Sequence, residues 1–415
     1  MFWGRQPDTM KTQNGNRSFG WGAGVSAAAI VIITLAAFYT RVWVLTAVPV
    51  GFLFGFFLQK GDLCGASAFS EVLVMKDRRK VFGLWILIVT AMLVFAALQM
   101  LGWVRLAPKP FLYINYLAGG ALFGTGMVLA GGCISGCLYK AATGNLNSIA
   151  GLLTIPAGVM AVEFGPLNPL LTAMNRYVLR SADGGPVTLS TLSGMPFWVL
   201  ALIFAAITLL IVLVRRQRQP GTNRQPAVDP WMDRVLRRPW KPWASGIAIG
   251  LLMAPAYLSS VATGRNYPLG VTHGVMQSEL LLVDRNVQHV WRVNPNPPAQ
   301  PAAPAPSAPA RKPVSWWLVL LSLALPLGSW VSARMNGPVR LMPKPPDEML
   351  TALAGGFLTG AGAAFATGCV VGNIMSGWAM MSVGMILFGV VTVLANWVTS
   401  YFYLLGGQLP ATVKK

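Results

Sequence analysis

The chain has 415 residues, of which 54% are hydrophobic and only 11% are charged. A soluble domain carries about 25% charged residues, so this composition excludes a water-soluble protein with a small anchor. The net charge of +20 comes from 32 Lys and Arg against 12 Asp and Glu. Most of these charges cluster in short loops between apolar spans, where the positive-inside rule places them. We therefore assign the basicity mainly to topology and expect a lipid bilayer, not nucleic acid, as the partner.

The first half is predicted to consist of a polar tail (1–18) and a membrane repeat (19–214). Segments such as 24–39, 81–101 and 198–214 are apolar over roughly the 20 residues that a membrane-spanning helix needs. Residues Asp62–Met75 are also apolar but too short to span. Asp62 stands in the position of a helix N-cap. We predict a half-spanning, re-entrant helix here, with Cys64 in its first turn.

The second half is predicted to follow a basic cytoplasmic loop (215–243). Its membrane repeat has two parts, 244–283 and 315–405, which are separated by a Pro/Ala-rich linker (284–314) and followed by a tail (406–415). The stretch GRNYPLGVTHG (264–274) predicts unwound backbone between two short helices. The linker is typical of an extended, exposed segment. Because the motifs KDRRK, RRQR and RVLRRPWK then share one side, we expect a multi-pass inner (plasma) membrane protein with a cytoplasmic N-terminus.

Two glycine-rich segments of the chain repeat each other. LAGGALFGTGMVLAGGCISG (117–136) and LAGGFLTGAGAAFATGCVVG (353–372) are identical at eleven of twenty positions, and each carries one cysteine, Cys133 or Cys369. A repeat of this kind predicts two halves of one membrane protein that meet at a shared site. The fold class is therefore all-α polytopic, with two pseudo-symmetric repeats of full transmembrane helices and half-spanning re-entrant helices.

The glycines of these segments divide into two groups. The leading ones, such as Gly119–Gly126, are spaced for close helix packing. The later ones flank the cysteines and favour unwinding, which leaves backbone N–H groups free. Free N–H groups and half-helix N-termini form an anion site without any buried arginine. The glycines beside Cys133 and Cys369 are therefore candidate substrate contacts, namely Gly132, Gly136, Gly368 and Gly372.

The four cysteines of the chain are the main candidates for chemistry. Cys64, Cys133 and Cys369 each lie at an irregular point of an apolar segment, where irregular backbone is tolerated only if it packs in protein or lines a cavity. A thiol is a small, polarizable, weak donor that suits a large, weakly hydrated sulfur. For a single cysteine, simple space filling remains the alternative. Cys137 stays open between the two interpretations, because Asn373 occupies its matching place.

The sequence disfavours both a metal site and an ATP-driven pump. Cys133 and Cys137 could share a helix face, but both histidines of the chain lie far away in sequence. No Walker A motif is present. We therefore expect neither a metal nor another cofactor. Glu163, at the end of an apolar run, is the best candidate for a buried acid, with local pairing at the membrane edge as the alternative.

Three motifs resemble the YeeE/YedE sulfur-transport family. They are FGTGMVLAGGCISGCLYKAATGN, FLTGAGAAFATGCVVG and GFLFGFFLQKGDLCGASAF, which begin at Phe123, Phe357 and Gly51. The resemblance implies a two-fold pseudo-symmetric protein around a narrow central path. It implies uptake of thiosulfate or a similar sulfur anion, relayed through S–H hydrogen bonds between the cysteines that match the motifs, Cys64, Cys133 and Cys369. Cys137 is less typical of the family.

The expected function is therefore a permease for a small sulfur-containing anion, most simply thiosulfate, and not an enzyme. A cytoplasmic sulfurtransferase is considered as a partner for the imported sulfur. Two alternatives stay open at this point. One is a thiol-based persulfide carrier with a reactive, low-pKa cysteine. The other is a non-transporting membrane subunit whose cysteines only pack.

Overall fold

The computed structural model describes residues 15–181, 184–217, 238–284, 286–292, 312–337, 339–342 and 344–406. Most of the predicted polar tail (1–18), basic loop (215–243), linker (284–314) and C-terminal tail (406–415) lies outside these residues. In the part described, eight helices are long and apolar enough to cross a membrane. The chain is therefore a polytopic α-helical membrane protein, as the composition predicted.

The helices and strands are numbered in chain order. The first half contains α1 (Gly15–Thr40), α2 (Ala47–Gly61), α3 (Gly65–Val74), α4 (Arg79–Met100), α5 (Tyr113–Leu129), α6 (Ile134–Ala142), α7 (Leu146–Glu163), α8 (Asn168–Met174), α9 (Leu189–Ser193) and α10 (Phe197–Gln217). The second half contains α11 (Pro242–Ala262), α12 (Thr272–Val283), strands β1 (Val287–Val290) and β2 (Lys312–Ser315), α13 (Trp316–Asn336), α14 (Pro346–Phe365), a π-helix (Val370–Gly377) and α15 (Val383–Tyr403). The strands pair in parallel.

The centre of the bundle is built on close contact between α5 and α14. A Cβ atom on Gly126 would lie 2.8 Å from the Gly355 carbonyl oxygen, and one on Gly362 would lie 2.8 Å from the Gly119 carbonyl oxygen. Only glycine allows two helix backbones to approach this closely. The packing role predicted for Gly119–Gly126 is confirmed, and the close approach fixes the ends of α5 and α14 where the cysteines follow.

Two helices break at equivalent points of their sequences. α5 ends before Gly131 (φ +70°), and α14 ends before Thr367 (φ +56°). In each case the cysteine two residues later, Cys133 or Cys369, is the N-cap residue of the next helix. α14 and the π-helix are inclined to each other by 46°. The prediction that both cysteines stand at helix breaks is confirmed.

The third break, between α2 and α3, corrects one prediction. Asp62 is not an N-cap residue: it adopts the left-handed conformation (φ 47°) that ends α2. Cys64 itself is the N-cap residue of α3 and does not lie in its first turn. Asp and Asn tolerate this conformation better than most residues. The Asp62 side chain is thereby free to bond elsewhere.

Candidate functional site

The three predicted cysteines converge in the buried core. The Cys64 and Cys133 side chains lie next to each other. Cys369 lies within electrostatic range of Cys133. A Cβ atom on Gly136 would be only 2.5 Å from the Cys64 Sγ and 3.4 Å from the Cys133 Sγ. Glycine at position 136 therefore leaves the space in which these two thiols meet.

Cys137 lies in the same region but faces the break that precedes Cys133. Its Sγ donates to the carbonyl oxygen of Gly132 at 3.4 Å and approaches that of Ala130 at 3.9 Å. Asn373, at the matching place, donates its Nδ2 to the carbonyls of Gly368 at 3.1 Å and Ala366 at 2.8 Å. The two side chains bind corresponding carbonyl groups. Cys137 and Asn373 thus each donate hydrogen bonds to the backbone carbonyls of one helix break.

Each break also binds one lysine through its left-handed residue. The Lys140 Nζ donates to the Gly131 carbonyl oxygen at 2.7 Å. The Lys109 Nζ donates to the Thr367 carbonyl oxygen and, at 3.4 Å, to the Asn373 Oδ1. Both carbonyls lie at helix ends, where an orphan acceptor needs a partner. One ammonium group therefore lies beside each cysteine break.

The two lysines lie at opposite ends of the path. α4 carries the chain from the KDRRK motif, which ends at Lys80, to the opposite end of the bundle, and Lys109 follows there. We call the end that carries KDRRK the inner end and the other the outer end. Lys140 lies within electrostatic range of Asp62, which bonds to Lys80 at the inner end. Basic residues therefore lie at both ends of the bundle, and at the inner end Lys80 is paired with Asp62 and Glu71.

The outer mouth is a cavity of about 350 Å³ that reaches the second break. It is lined by Lys109, Arg265, Tyr267, Gly270, Thr272, His273, Leu318, Thr367, Gly368 and Gly372. None of these lining residues is acidic. A cleft that presents cations on low-dielectric walls concentrates small anions. We call this cavity the outer vestibule.

The Lys109 and Arg265 side chains of the outer vestibule both lie beside the Tyr267 ring. The Lys109 ammonium lies 4.9 Å from the centroid of the Tyr267 ring, and the Arg265 guanidinium lies 5.7 Å from it. The Tyr267 hydroxyl donates to the Gly372 carbonyl oxygen at 2.5 Å. Burial, and then the neighbouring Arg265, lower the pKa of Lys109 to about 7, and burial lowers the pKa of Arg265 to about 10. Arg265 therefore stays charged at neutral pH.

The expectation of an anion site without buried arginine stays a prediction, but the structure adds two basic side chains to the region. Arg265 is half-buried in the outer vestibule, and both Arg265 and Lys109 line it beside Gly368 and Gly372. The sequence pattern singled out neither residue, although Arg265 is the second residue of the stretch 264–274 that is predicted to be unwound.

The four candidate glycines divide between the two breaks. Gly368 and Gly372 line the outer vestibule, and a Cβ on Gly372 would meet only the Leu269 carbonyl oxygen, at 3.9 Å. Gly132 packs against Cys137, with 3.2 Å from its Cβ position to the Sγ, and Gly136 against Cys64. Gly372 therefore faces open space, Gly368 packs against Asn373, with 2.5 Å from its Cβ position to the Oδ1, and the glycines at the first break pack against thiols.

Glu163 forms a local ion pair at the rim of the outer vestibule. Its Oε1 lies 2.8 Å from the Nε2 of His273, and the two side chains are partly exposed. This is the local pairing that the sequence left as the alternative to a buried acid. Among the residues that the structure describes, no three His, Cys, Asp or Glu side chains group as a metal site.

Fold and site together define a multi-pass membrane protein with buried thiols and a cavity, lined by basic residues, beside the break at Cys369. The sequence model of the sulphur transport family matches residues 60–398, which is most of the chain. The chain therefore belongs to this family. The match extends over all three cysteine breaks and both cations of the outer vestibule.

Several curated proteins are similar to this chain. One from Spirochaeta thermophila, described as thiosulfate transporter TsuA, is 29% identical over 86% of this chain and 98% of its own length. One from Escherichia coli with the same description is 26% identical over 82% of this chain and 88% of its own length. A third, described as probable transporter YedE from Salmonella typhimurium, is 31% identical over 34% of each chain.

Proposed function

We propose that this protein takes up thiosulfate through the outer vestibule and the three buried thiols. The observation that carries the proposal is the position of Lys109 and Arg265 directly outside the break that holds Cys369. Thiosulfate has one end that is a charged oxyanion and one end that is a large, polarizable sulfur. The two cations suit the first end and the thiols suit the second. The family and the relatives described as thiosulfate transporters support the same substrate.

In this proposal the anion moves inward by exchanging weak hydrogen bonds. Its oxygens bind Lys109 and Arg265, which orients the terminal sulfur toward Cys369. The S–H groups of Cys369, Cys133 and Cys64 then donate to that sulfur in turn, and no covalent bond forms or breaks. The weakness of thiol donors suits passage, because a permeating ion must bind well enough to enter and weakly enough to leave. Cys137, which donates to the Gly132 carbonyl, lies outside this sequence of donors.

The proposal includes an orientation and a cellular setting. The inner end carries KDRRK and faces the cytoplasm by the positive-inside rule, which places the N-terminus there and the outer vestibule on the external face of the inner membrane. The protein acts as a permease and carries out no catalysis. A cytoplasmic sulfurtransferase is a chemically suitable recipient of the imported anion.

The test is uptake of labelled thiosulfate by cells that lack their own route. Cys133→Ala and Cys369→Ala should each reduce uptake to background while the protein remains folded in the membrane, because each removes one donor from the series. Normal uptake by Cys133→Ala would contradict the proposed transfer of the anion from thiol to thiol. The same cells are analysed by mass spectrometry, since a stable persulfide on Cys133 or Cys369 would favour a covalent carrier instead.

A further inference from the structure

The Asp62 carboxylate lies at the inner end of the bundle, near Cys64 and Cys133. The Tyr139 hydroxyl donates to the Asp62 Oδ1 at 2.7 Å, and the Lys80 Nζ donates to the Asp62 Oδ2 at 2.5 Å. Tyr139 is buried on α6 and lies within electrostatic range of Cys64 and Cys133 as well as of Asp62. Asp62 precedes Cys64 by two residues. The Tyr139 hydroxyl therefore binds Asp62 in the neighbourhood of the two thiols.

The donors around Asp62 form a site for an anion. Lys80 is largely covered, with 16% of its side chain exposed. Lys140 lies within electrostatic range of both Asp62 and Cys64. Tyr139 and Lys80 bind Asp62 directly, whereas the Lys140 Nζ donates to the Gly131 carbonyl oxygen and adds a nearby positive charge. A buried phenol and an ammonium group are donors that a small oxyanion selects. At present a carboxylate of the protein itself occupies the position where such an anion would bind.

The Asp62 side chain is placed so that it can leave. The Asp62 side chain is 58% exposed, whereas the side chain of its partner Lys80 is 16% exposed. The Asp62 backbone is fixed in the left-handed turn after α2, so only the side chain needs to rotate. Lys80 keeps a second carboxylate partner, Glu71, at 2.5 Å. Departure of Asp62 therefore leaves Lys80 compensated and frees the Tyr139 hydroxyl.

We propose that Tyr139, Lys80 and Lys140 form an inner binding site for the transported oxyanion, and that the Asp62 carboxylate occupies it at rest as a tethered competitor. The proposal rests on the function proposed above. An anion that reaches Cys64 displaces Asp62 and binds the same donors. The anion then leaves toward the cytoplasm, and the carboxylate returns. Anions arriving from the cytoplasm meet a filled site and a negative charge, which favours inward movement.

The test measures how fast Cys64 reacts in inside-out vesicles with two small thiol reagents of opposite charge. Sulfonatoethyl methanethiosulfonate is anionic and trimethylammonioethyl methanethiosulfonate is cationic, and peptide mass mapping identifies Cys64. Asp62→Asn keeps the left-handed turn and an acceptor for Tyr139 but removes the charge. It should raise the rate of the anionic reagent by about tenfold, the lower end of electrostatic effects on association, without raising that of the cationic one.

Two further variants make the result specific. Glu71→Gln removes the other carboxylate that pairs with Lys80 but does not contact Tyr139, and it should leave the anionic rate within about twofold of the native protein because the site stays filled. Tyr139→Phe added to Asp62→Asn should lower the anionic rate again, since the donor is lost. An equal rise for both reagents in Asp62→Asn would mean a loosened fold and would overturn the proposal.

Thiosulfate flux is measured in parallel and separates the two proposals. Asp62→Asn should raise thiosulfate efflux from loaded cells relative to uptake. Absence of thiosulfate uptake in the native protein would contradict the proposed function, while the charge-selective labelling of Cys64 would still report on the inner site. Normal uptake combined with identical labelling of native and Asp62→Asn protein would overturn the inner site alone.

Discussion

The breaks at Cys133 and Cys369 share a backbone path but differ in the groups that close them. In both, the amide of the residue four positions after the cysteine donates to the cysteine carbonyl at 2.7 Å. A thiol, Cys137, binds the carbonyls of the first break, and an amide, Asn373, binds those of the second. An amide donates normal hydrogen bonds, whereas a thiol donates weak ones. The second break is therefore the more firmly held of the two.

The lysines differ in a way that fits this contrast. Lys140 comes from the helix that follows its own break, while Lys109 reaches the Thr367 carbonyl from a loop in the other half of the chain. Thr367 has a positive φ, a conformation that costs a non-glycine residue roughly 1–2 kcal/mol. The outer break is thus strained and held by several bonds, and it faces the outer vestibule. The break with the larger number of stabilising bonds is therefore the one that the anion meets first in the proposed mechanism.

The sharpest way to break this comparison is Asn373→Ala. The change leaves the carbonyls of Ala366 and Gly368 without their donor in a buried site. Each orphaned buried acceptor costs about 1–3 kcal/mol, so we expect a loss of about 2–5 kcal/mol in stability and a clear fall in Tm in detergent. The expected uptake is close to background.

Asn396→Ala serves as the matched control for Asn373→Ala. Asn396 is also a buried amide, but its Nδ2 has no hydrogen-bond partner in the described part of the chain, and its Oδ1 accepts only from the Ser70 hydroxyl, which also bonds to Ser400. The control should lower Tm by much less. Equal losses for the two variants would show that Asn373 acts through packing volume and not through its bonds.

The second expected effect concerns the outer cation. Lys109→Gln removes the charge nearest the second break, and a hydrogen bond to a charged group contributes about 1.5–3 kcal/mol. We expect the KM for thiosulfate to rise at least about tenfold while kcat changes little. Arg105→Gln is the control, because Arg105 is an exposed basic residue of the same loop that does not line the cavity. Equal effects of both changes would assign the attraction to the general field of the outer face.

The sequence predicted the breaks because their cause is local. Glycines beside a cysteine after a small-residue helix cannot continue that helix well, and Cys133 and Cys369 are indeed N-cap residues. The sequence failed at Asp62, because a single Asp before an apolar run fits both an N-cap and the left-handed end of the preceding helix. Only the packing of α2, which ends at Gly61 against Ser245, decides between them.

The outer vestibule could not be predicted in the same way, since its residues are distant in sequence. Lys109 and Thr367 are 258 residues apart. Their contact depends on how α5 and α14 cross, and this crossing is set by the glycine contacts between the two helices. A basic residue at the outer end of a span is unusual under the positive-inside rule. The sequence pattern did not single out Lys109, because a basic residue in a loop indicates neither its partner nor its geometry.

A third, smaller effect is a dependence on external pH. Burial and the neighbouring Arg265 lower the pKa of Lys109 to about 7, so its ammonium is charged below this pH and neutral above it. Anion binding should therefore weaken as external pH rises from about 6 to about 8, with KM increasing several-fold. Lys109→Arg keeps the charge throughout and should flatten the profile. A profile that keeps its slope in Lys109→Arg would assign the titration to another group.

The smallest expected effect is that of Cys137→Asn, which gives the first break the closing group of the second. An asparagine here can donate to the same carbonyls as the thiol, those of Gly132 and Ala130. We expect uptake within about twofold of native and a change in stability below about 1 kcal/mol. The comparison with Cys133→Ala is decisive, because both changes remove one buried thiol of the first break. A loss of uptake as large as that of Cys133→Ala would place Cys137 among the thiols that contact the anion, and the difference between the two breaks would then concern transport and not only closure.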